Sequence, residues 1–131
     1  MSGFPKIKYL LPVAYMILIL ISSSIPMERE IKGIEFVMRI DPRLQNLLHI
    51  PFFGLLAFLW IRSFSELKYS IRKTLFLSSF ISLIYGIFDE SYQLLIPGRY
   101  SSVGDIVLNF MGIIAGDLAG IFFYRTFKAS G

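Results

Sequence analysis

The chain has 131 residues, of which 55% are hydrophobic and only 17% charged, and its mean hydropathy is +0.65. A soluble domain carries about a quarter charged residues, so this composition excludes an ordinary water-soluble globule, and the length predicts one domain with no separate soluble enzyme. The formal charge of +4 does not indicate nucleic acid, because the lysines and arginines fall between apolar blocks, as topogenic charges do. The absence of cysteine excludes disulfides, iron–sulfur clusters and thiolate zinc sites.

Four apolar stretches approach the roughly 20 residues needed to cross about 30 Å of hydrocarbon. None alternates like a strand, and an unpaired strand leaves its backbone unsatisfied in lipid, so all four read as helices. The first covers residues 7–24 (IKYLLPVAYMILILISSS). It also has the form of a signal peptide, with Lys6 and Lys8 ahead of the apolar run and Ser22, Ser23 and Ser24 behind it. Removing it would leave three helices and a chain with mismatched ends, which favours a retained span.

Segment 25–43 is too polar to span. Ile31, Ile34, Val37, Met38 and Ile40 give one apolar stripe, which predicts a short interfacial helix between the first two spans. Asp41-Pro42 then ends it and starts the next span. That second span, residues 44–64, carries the chain's single histidine, His49, next but one to Pro51. A proline frees a backbone carbonyl, so the imidazole either bonds to a neighbouring helix or serves as a proton carrier or ligand in a polar cavity.

The third span, residues 74–95, closes on Asp89, Glu90 and Gln93. Asp89 and Gln93 share a helical face, and Glu90 is rotated by about 100°. A helix C-terminus is the unfavourable end for anions, so these carboxylates either sit hydrated among headgroups or need a cationic partner or ligand. The turn Pro97-Gly98 aims Arg99 back at the preceding helix. Arg99 then pairs with Glu90 or Asp105, or forms a planar fork for phosphate or carboxylate.

The fourth span, residues 104–127, begins with the capping-box spacing Ser102-x-x-Asp105, and its free N–H groups offer an anion site. Asp105, Asn109, Gly112 and Gly116 lie along one stripe. Gly112-xxx-Gly116-xxx-Gly120 lets another helix approach closely, which turns Asp105 and Asn109 into the bundle. Asp117 lies off that stripe and is expected to pair or snorkel outside the site.

Eight basic residues (Lys6, Lys8, Arg62, Lys68, Arg72, Lys73, Arg125, Lys128) would lie on one side of the membrane and five (Arg29, Lys32, Arg39, Arg43, Arg99) on the other. The lysine and arginine excess in short loops predicts cytoplasmic termini and a chain embedded in the cytoplasmic membrane. The expected fold is therefore an all-α integral membrane bundle of four transmembrane helices.

Ionisable groups at membrane helices mark function when they converge, and His49, Asp89, Glu90, Gln93, Arg99, Asp105 and Asn109 all fall near the outer ends of the spans. They predict an outward-facing polar pocket. Two uses stay open. In an enzyme acting on a lipid or lipid-linked phosphate headgroup, Arg99 and the fourth helix's start would hold the anion. Asp89 or Glu90 would act as base and His49 would exchange protons, or the same groups would hold a divalent cation through oxygen ligands and water. In a binding protein, Gln93, Arg99, Asp105 and Asn109 would recognise an envelope lipid, a lipid-linked cell-wall precursor or a glycopeptide-related ligand without turnover. No nucleophile elbow, HExxH or P-loop specifies a reaction, and Ser101 and Ser102 have turn and cap roles to fill. The clustering at one side argues against a transport path.

The segment DESYQLLIPGRYSSVGDIVLNFMGIIAG resembles the signature of the VanZ-like membrane protein family: Asp-Glu-x-x-Gln, then Pro-Gly-Arg, then Asp-x-x-x-Asn-x-x-Gly. The strong part of the likeness covers residues 86–116. The upstream DPRLQNLLHIPFFGLLAF is similar to the family's Asp-Lys-x-x-His stretch, although here Asp41 stands eight residues before His49 and no Asp-Lys pair precedes the histidine. The resemblance implies a small multi-helix membrane protein, and the family takes its name from a member associated with teicoplanin resistance.

Overall fold

The computed structural model describes residues 7–26, 33, 36, 39 and 41–129. The helices are α1 (Ile7–Ser23), α2 (Pro42–Leu47), α3 (His49–Ser65), α4 (Ile71–Gln93) and α5 (Val103–Ala129). Arg43–Ser65, Ile71–Gln93 and Val103–Thr126 are long and apolar enough to cross a membrane. Helix α1, with 17 residues, is the shorter apolar partner, at the low end of the roughly 17–25 residues that suffice. The chain is thus all-α, a small helical membrane bundle. The expected interfacial stripe of Ile31, Ile34, Val37, Met38 and Ile40 lies outside the described residues.

Local chemistry sets the boundaries. Asp41 accepts a hydrogen bond from the Arg43 N–H at 2.8 Å and caps α2. The second span is two helical pieces broken at Leu48. Pro51 explains the break, because it cannot donate to the carbonyl four residues back and its ring crowds that carbonyl. Ser70 caps α4 by accepting from the Lys73 N–H at 3.3 Å.

Helix α4 is patterned for lipid outside and polar contacts inside. Thr74, Ser78, Ser82, Gly86 and Glu90 recur at every fourth position and are buried, whereas Phe76, Phe80, Ile84 and Phe88 recur at the same interval and are exposed. Residues four apart share a helix face, so the inner face is lined mainly by small and polar residues and the outer face by large apolar ones. Ser78 Oγ donates to the Ala57 carbonyl of α3 at 2.7 Å, while Phe53, Leu56, Ala57, Trp60 and Ile113 form the apolar core.

Helix α1 is seated by its own irregularity. Pro12 has no N–H for the Lys8 carbonyl, and Ser63 Oγ of α3 supplies the missing donor at 2.7 Å. Tyr85 donates to the Met16 carbonyl at 2.5 Å and Tyr15 to the Phe52 carbonyl at 3.1 Å.

Helices α3 and α5 touch backbone to backbone. A Cβ at Gly112 would run into the Ile50 carbonyl, and one at Gly116 into the Gly54 carbonyl. Gly112 and Gly116 are therefore required by close approach, as their spacing predicts. The matching gap on α3 is Gly54, whose added Cβ would meet the Gly112 oxygen at 3.0 Å.

Candidate functional site

The end of α1, the start of α3, the end of α4 and the start of α5 meet at one end of the bundle. Two polar groups form there. In the first, His49 Nδ1 lies 2.8 Å from Asn109 Oδ1 and 3.2 Å from Glu90 Oε1. Asn109 Nδ2 donates to Glu90 Oε1 at 3.3 Å, and Ser101 Oγ donates to Glu90 Oε2 at 2.6 Å. Glu90 is only 2% exposed and Asn109 is fully buried. Both oxygens facing Nδ1 are acceptors, so the network places a proton on Nδ1. Nε2 is then the lone-pair nitrogen when the ring is neutral, and no described residue bonds to it. Phe53 stacks beside the ring, with centroids 6.5 Å apart and planes 10° apart, and holds its plane.

In the second group, Gln93 Nε2 donates to Asp89 Oδ2 at 2.9 Å and lies 3.3 Å from Ser23 Oγ. Asp89 is 1% exposed and its Oδ1 has no partner among the described residues. Arg99 follows the turn at Gly98, whose φ of 75° lies in the left-handed region that glycine tolerates. Its Nη2 donates to the Ser22 carbonyl at 2.6 Å and its Nε to the Ile25 carbonyl at 3.2 Å. The expected pairing with Glu90 or Asp105 is not made. The guanidinium instead satisfies carbonyls at the C-terminus of α1, where helix geometry leaves acceptors bare and the dipole favours a cation. Among the described residues, its remaining N–H groups, including both on Nη1, have no acceptor. Burial pushes the Arg99 guanidinium below its ordinary pKa, while Asp89 and then Glu90 pull it back up; it stays charged.

A cavity of about 140 Å³ joins the groups. That is roughly ten times the ~10–15 Å³ one water needs. Ser22, Ser23, Gln45, His49, Asp89, Gln93 and Arg99 supply its polar wall, and Ile19, Leu48, Phe52 and Phe53 its apolar one. Leu48 and Phe52 are each 40% exposed, so the apolar wall continues onto the outer surface of the bundle.

The seven residues singled out by sequence thus take three positions. His49, Asp89, Gln93 and Arg99 line the cavity. Glu90 and Asn109 stand behind His49 and reach the cavity only through it. Asp105 is off the wall: its Oδ2 accepts from the Ser102 N–H at 2.9 Å and from Ser102 Oγ at 3.0 Å, which is the cap its spacing predicts. Asp117, left outside the site, accepts from Ser79 Oγ at 2.6 Å. Sequence reasoning missed Ser22, Ser23 and Gln45 as wall residues and gave Ser101 a turn role, whereas its hydroxyl holds Glu90. Among the described residues no three of His, Asp and Glu converge to hold a metal ion.

No curated protein and no solved structure matches the chain. A family model does, and it runs from the first residue of α1 almost to the end of α5, so it takes in every helix that builds the cavity. On that match over residues 7–127, the chain belongs to the VanZ/LLP1 family.

Proposed function

We propose that the cavity binds the anionic headgroup of an envelope lipid or lipid-linked cell-wall precursor at the outer face of the cytoplasmic membrane. The observation that carries this reading is Arg99. Its guanidinium is pinned by two backbone carbonyls, has no carboxylate salt bridge among the described residues, and keeps N–H donors free on the cavity wall. A fixed fork of this kind suits phosphate or carboxylate oxygens. The exposed Leu48 and Phe52 beside it suit an acyl or prenyl chain, so the wall is amphiphilic like the ligand. The lysine and arginine distribution supports cytoplasmic termini and an outward cavity. A divalent cation enters this reading as an ion carried by the phosphate, with Asp89 as the carboxylate on the cavity wall, since such ions are held by one or two carboxylates plus phosphates. Teicoplanin-type resistance would follow if the bound headgroup is that of a cell-wall precursor.

The test is lipid binding by native mass spectrometry of protein in nanodiscs containing phosphatidylglycerol or phosphatidylcholine, with free inorganic phosphate as a separate arm. Phosphatidylglycerol should be retained. Arg99→Gln should weaken it about 10- to 100-fold, the loss of one or two hydrogen bonds to a charged group. Equal retention of both lipids, or an unchanged affinity in Arg99→Gln, would remove the proposal. Competition by free phosphate alone would assign the site to a soluble anion.

A further inference from the structure

Beyond binding, and resting on that reading, we infer that the cavity hydrolyses the phosphoester it holds, with the His49 Nε2 as general base and Glu90 and Asn109 as positioning residues. The network fixes one face of the ring. Nδ1 faces two acceptors, at 2.8 and 3.2 Å, and Phe53 holds the plane of the imidazole. A purely structural histidine would satisfy both nitrogens; here Nε2 has no partner among the described residues, is not sealed from solvent, and belongs to a residue on the cavity wall. A buried carboxylate behind Nδ1 holds the tautomer and stabilises the imidazolium formed when Nε2 takes a proton. Glu90 is equipped for that part, since it accepts from His49, Asn109 and Ser101 and is itself shielded from the cavity. Arg99 supplies free donors from another wall of the same cavity, where they meet the charge that builds on the phosphoryl oxygens.

The step balances without a further reactant. Nε2 takes a proton from water as the water oxygen forms a bond to phosphorus, and the phosphorus–oxygen bond to the ester alcohol breaks, that alcohol being the headgroup glycerol in the diester and diacylglycerol in the monoester. The proton on Nε2 returns through solvent to the departing alkoxide. The products are the free alcohol and the phosphate that gained the water oxygen, and the ring ends neutral.

The test uses the whole chain in nanodiscs with phosphatidylglycerol, a phosphodiester, or phosphatidic acid, a monoester, and follows release of glycerol or phosphate together with binding. Turnover of one of them should fall about 100- to 10,000-fold in His49→Gln with lipid binding and KM unchanged. Glu90→Gln should lower kcat by a smaller factor, about 10- to 100-fold, as for residues that orient an imidazole. Binding of these lipids without release of either product would overturn the inference and leave the headgroup reading standing, whereas failure to bind either lipid would overturn both. A ligand-free measurement is independent of any folding defect in the variants. The chain has a single histidine, so one imidazole nitrogen spectrum reports the tautomer. A neutral ring protonated at Nδ1 is expected, and one protonated at Nε2 would overturn the inference.

Discussion

Removing the Ser101 hydroxyl tests whether the loop after α4 is held by the buried acid. Ser101 Oγ donates to Glu90 Oε2 at 2.6 Å, within the ~2.5–2.7 Å range of a hydroxyl on an ionised carboxylate. Glu90 is 2% exposed, so water has little access to replace the lost donor. A hydrogen bond to a charged group contributes about 1.5–3 kcal/mol, which converts to roughly a 10- to 150-fold shift in the folding equilibrium. Ser101→Ala should therefore lower stability by about that amount, while Ser101→Thr, which keeps the hydroxyl, should stay within about 0.5 kcal/mol of the parent. Reversible unfolding in mixed micelles on addition of dodecyl sulfate measures this. Trp60, the only tryptophan, serves as reporter because it is 8% exposed and stacked on Phe64 at 5.3 Å. If Ser101→Ala changes nothing, or if Thr is as damaging as Ala, the hydroxyl does not hold the acid and the reasoning fails.

Gly116→Leu should abolish assembly, because even a Cβ meets the Gly54 carbonyl; a normally folded protein on size-exclusion chromatography would contradict the close approach. Ser63→Ala should cost about 1–3 kcal/mol by leaving the Lys8 carbonyl unsatisfied. The cost should shrink in the Pro12→Ala background, where a restored N–H takes that carbonyl, and a double-mutant cycle with no coupling would refute the assignment. Arg99→Lys should retain less than a tenth of the parent's affinity for phosphatidylglycerol in the native mass-spectrometry assay despite unchanged charge. A point ammonium cannot reach two carbonyls and still offer a fork, so full retention would mean that charge alone suffices.

The spans and the glycine stripe were legible because each is a pattern within one segment. Residues 44–64 and 104–127 match Arg43–Ser65 and Val103–Ala129 closely, and Gly112 and Gly116 meet backbone as their spacing implies. The partners of the polar side chains were harder to read where they are backbone carbonyls, which every residue possesses. Sequence leaves Arg99 either pairing with Glu90 or Asp105 or forming a fork for phosphate or carboxylate; the pair is not made, and the guanidinium bonds oxygens 74 and 77 residues away at the end of α1. Asp105 was expected in the pocket as well as in the cap, and the cap takes its carboxylate. The sequence also carries a finer signal: Thr74, Ser78, Ser82, Gly86 and Glu90 at every fourth position mark the inward face of α4, and that stripe places Glu90 inside the bundle.

The close approach of α3 and α5 and the placement of His49 are one structural fact. Ile50, whose carbonyl lies against Gly112, is the residue after His49, and Asn109 lies one turn before Gly112 on α5. Bringing those backbones together therefore fixes the register that sets His49 Nδ1 2.8 Å from Asn109 Oδ1. Any side chain at Gly112 would push the helices apart and stretch that bond first. Glu90 on α4 could then keep both His49 of α3 and Asn109 of α5 only if they stayed together, so it would lose one of its Oε1 contacts, and a buried carboxylate short of a partner costs several kcal/mol in a low-dielectric interior. The glycines thus do more than admit a neighbouring helix: they make it tolerable for this membrane bundle to keep an ionisable pair inside it.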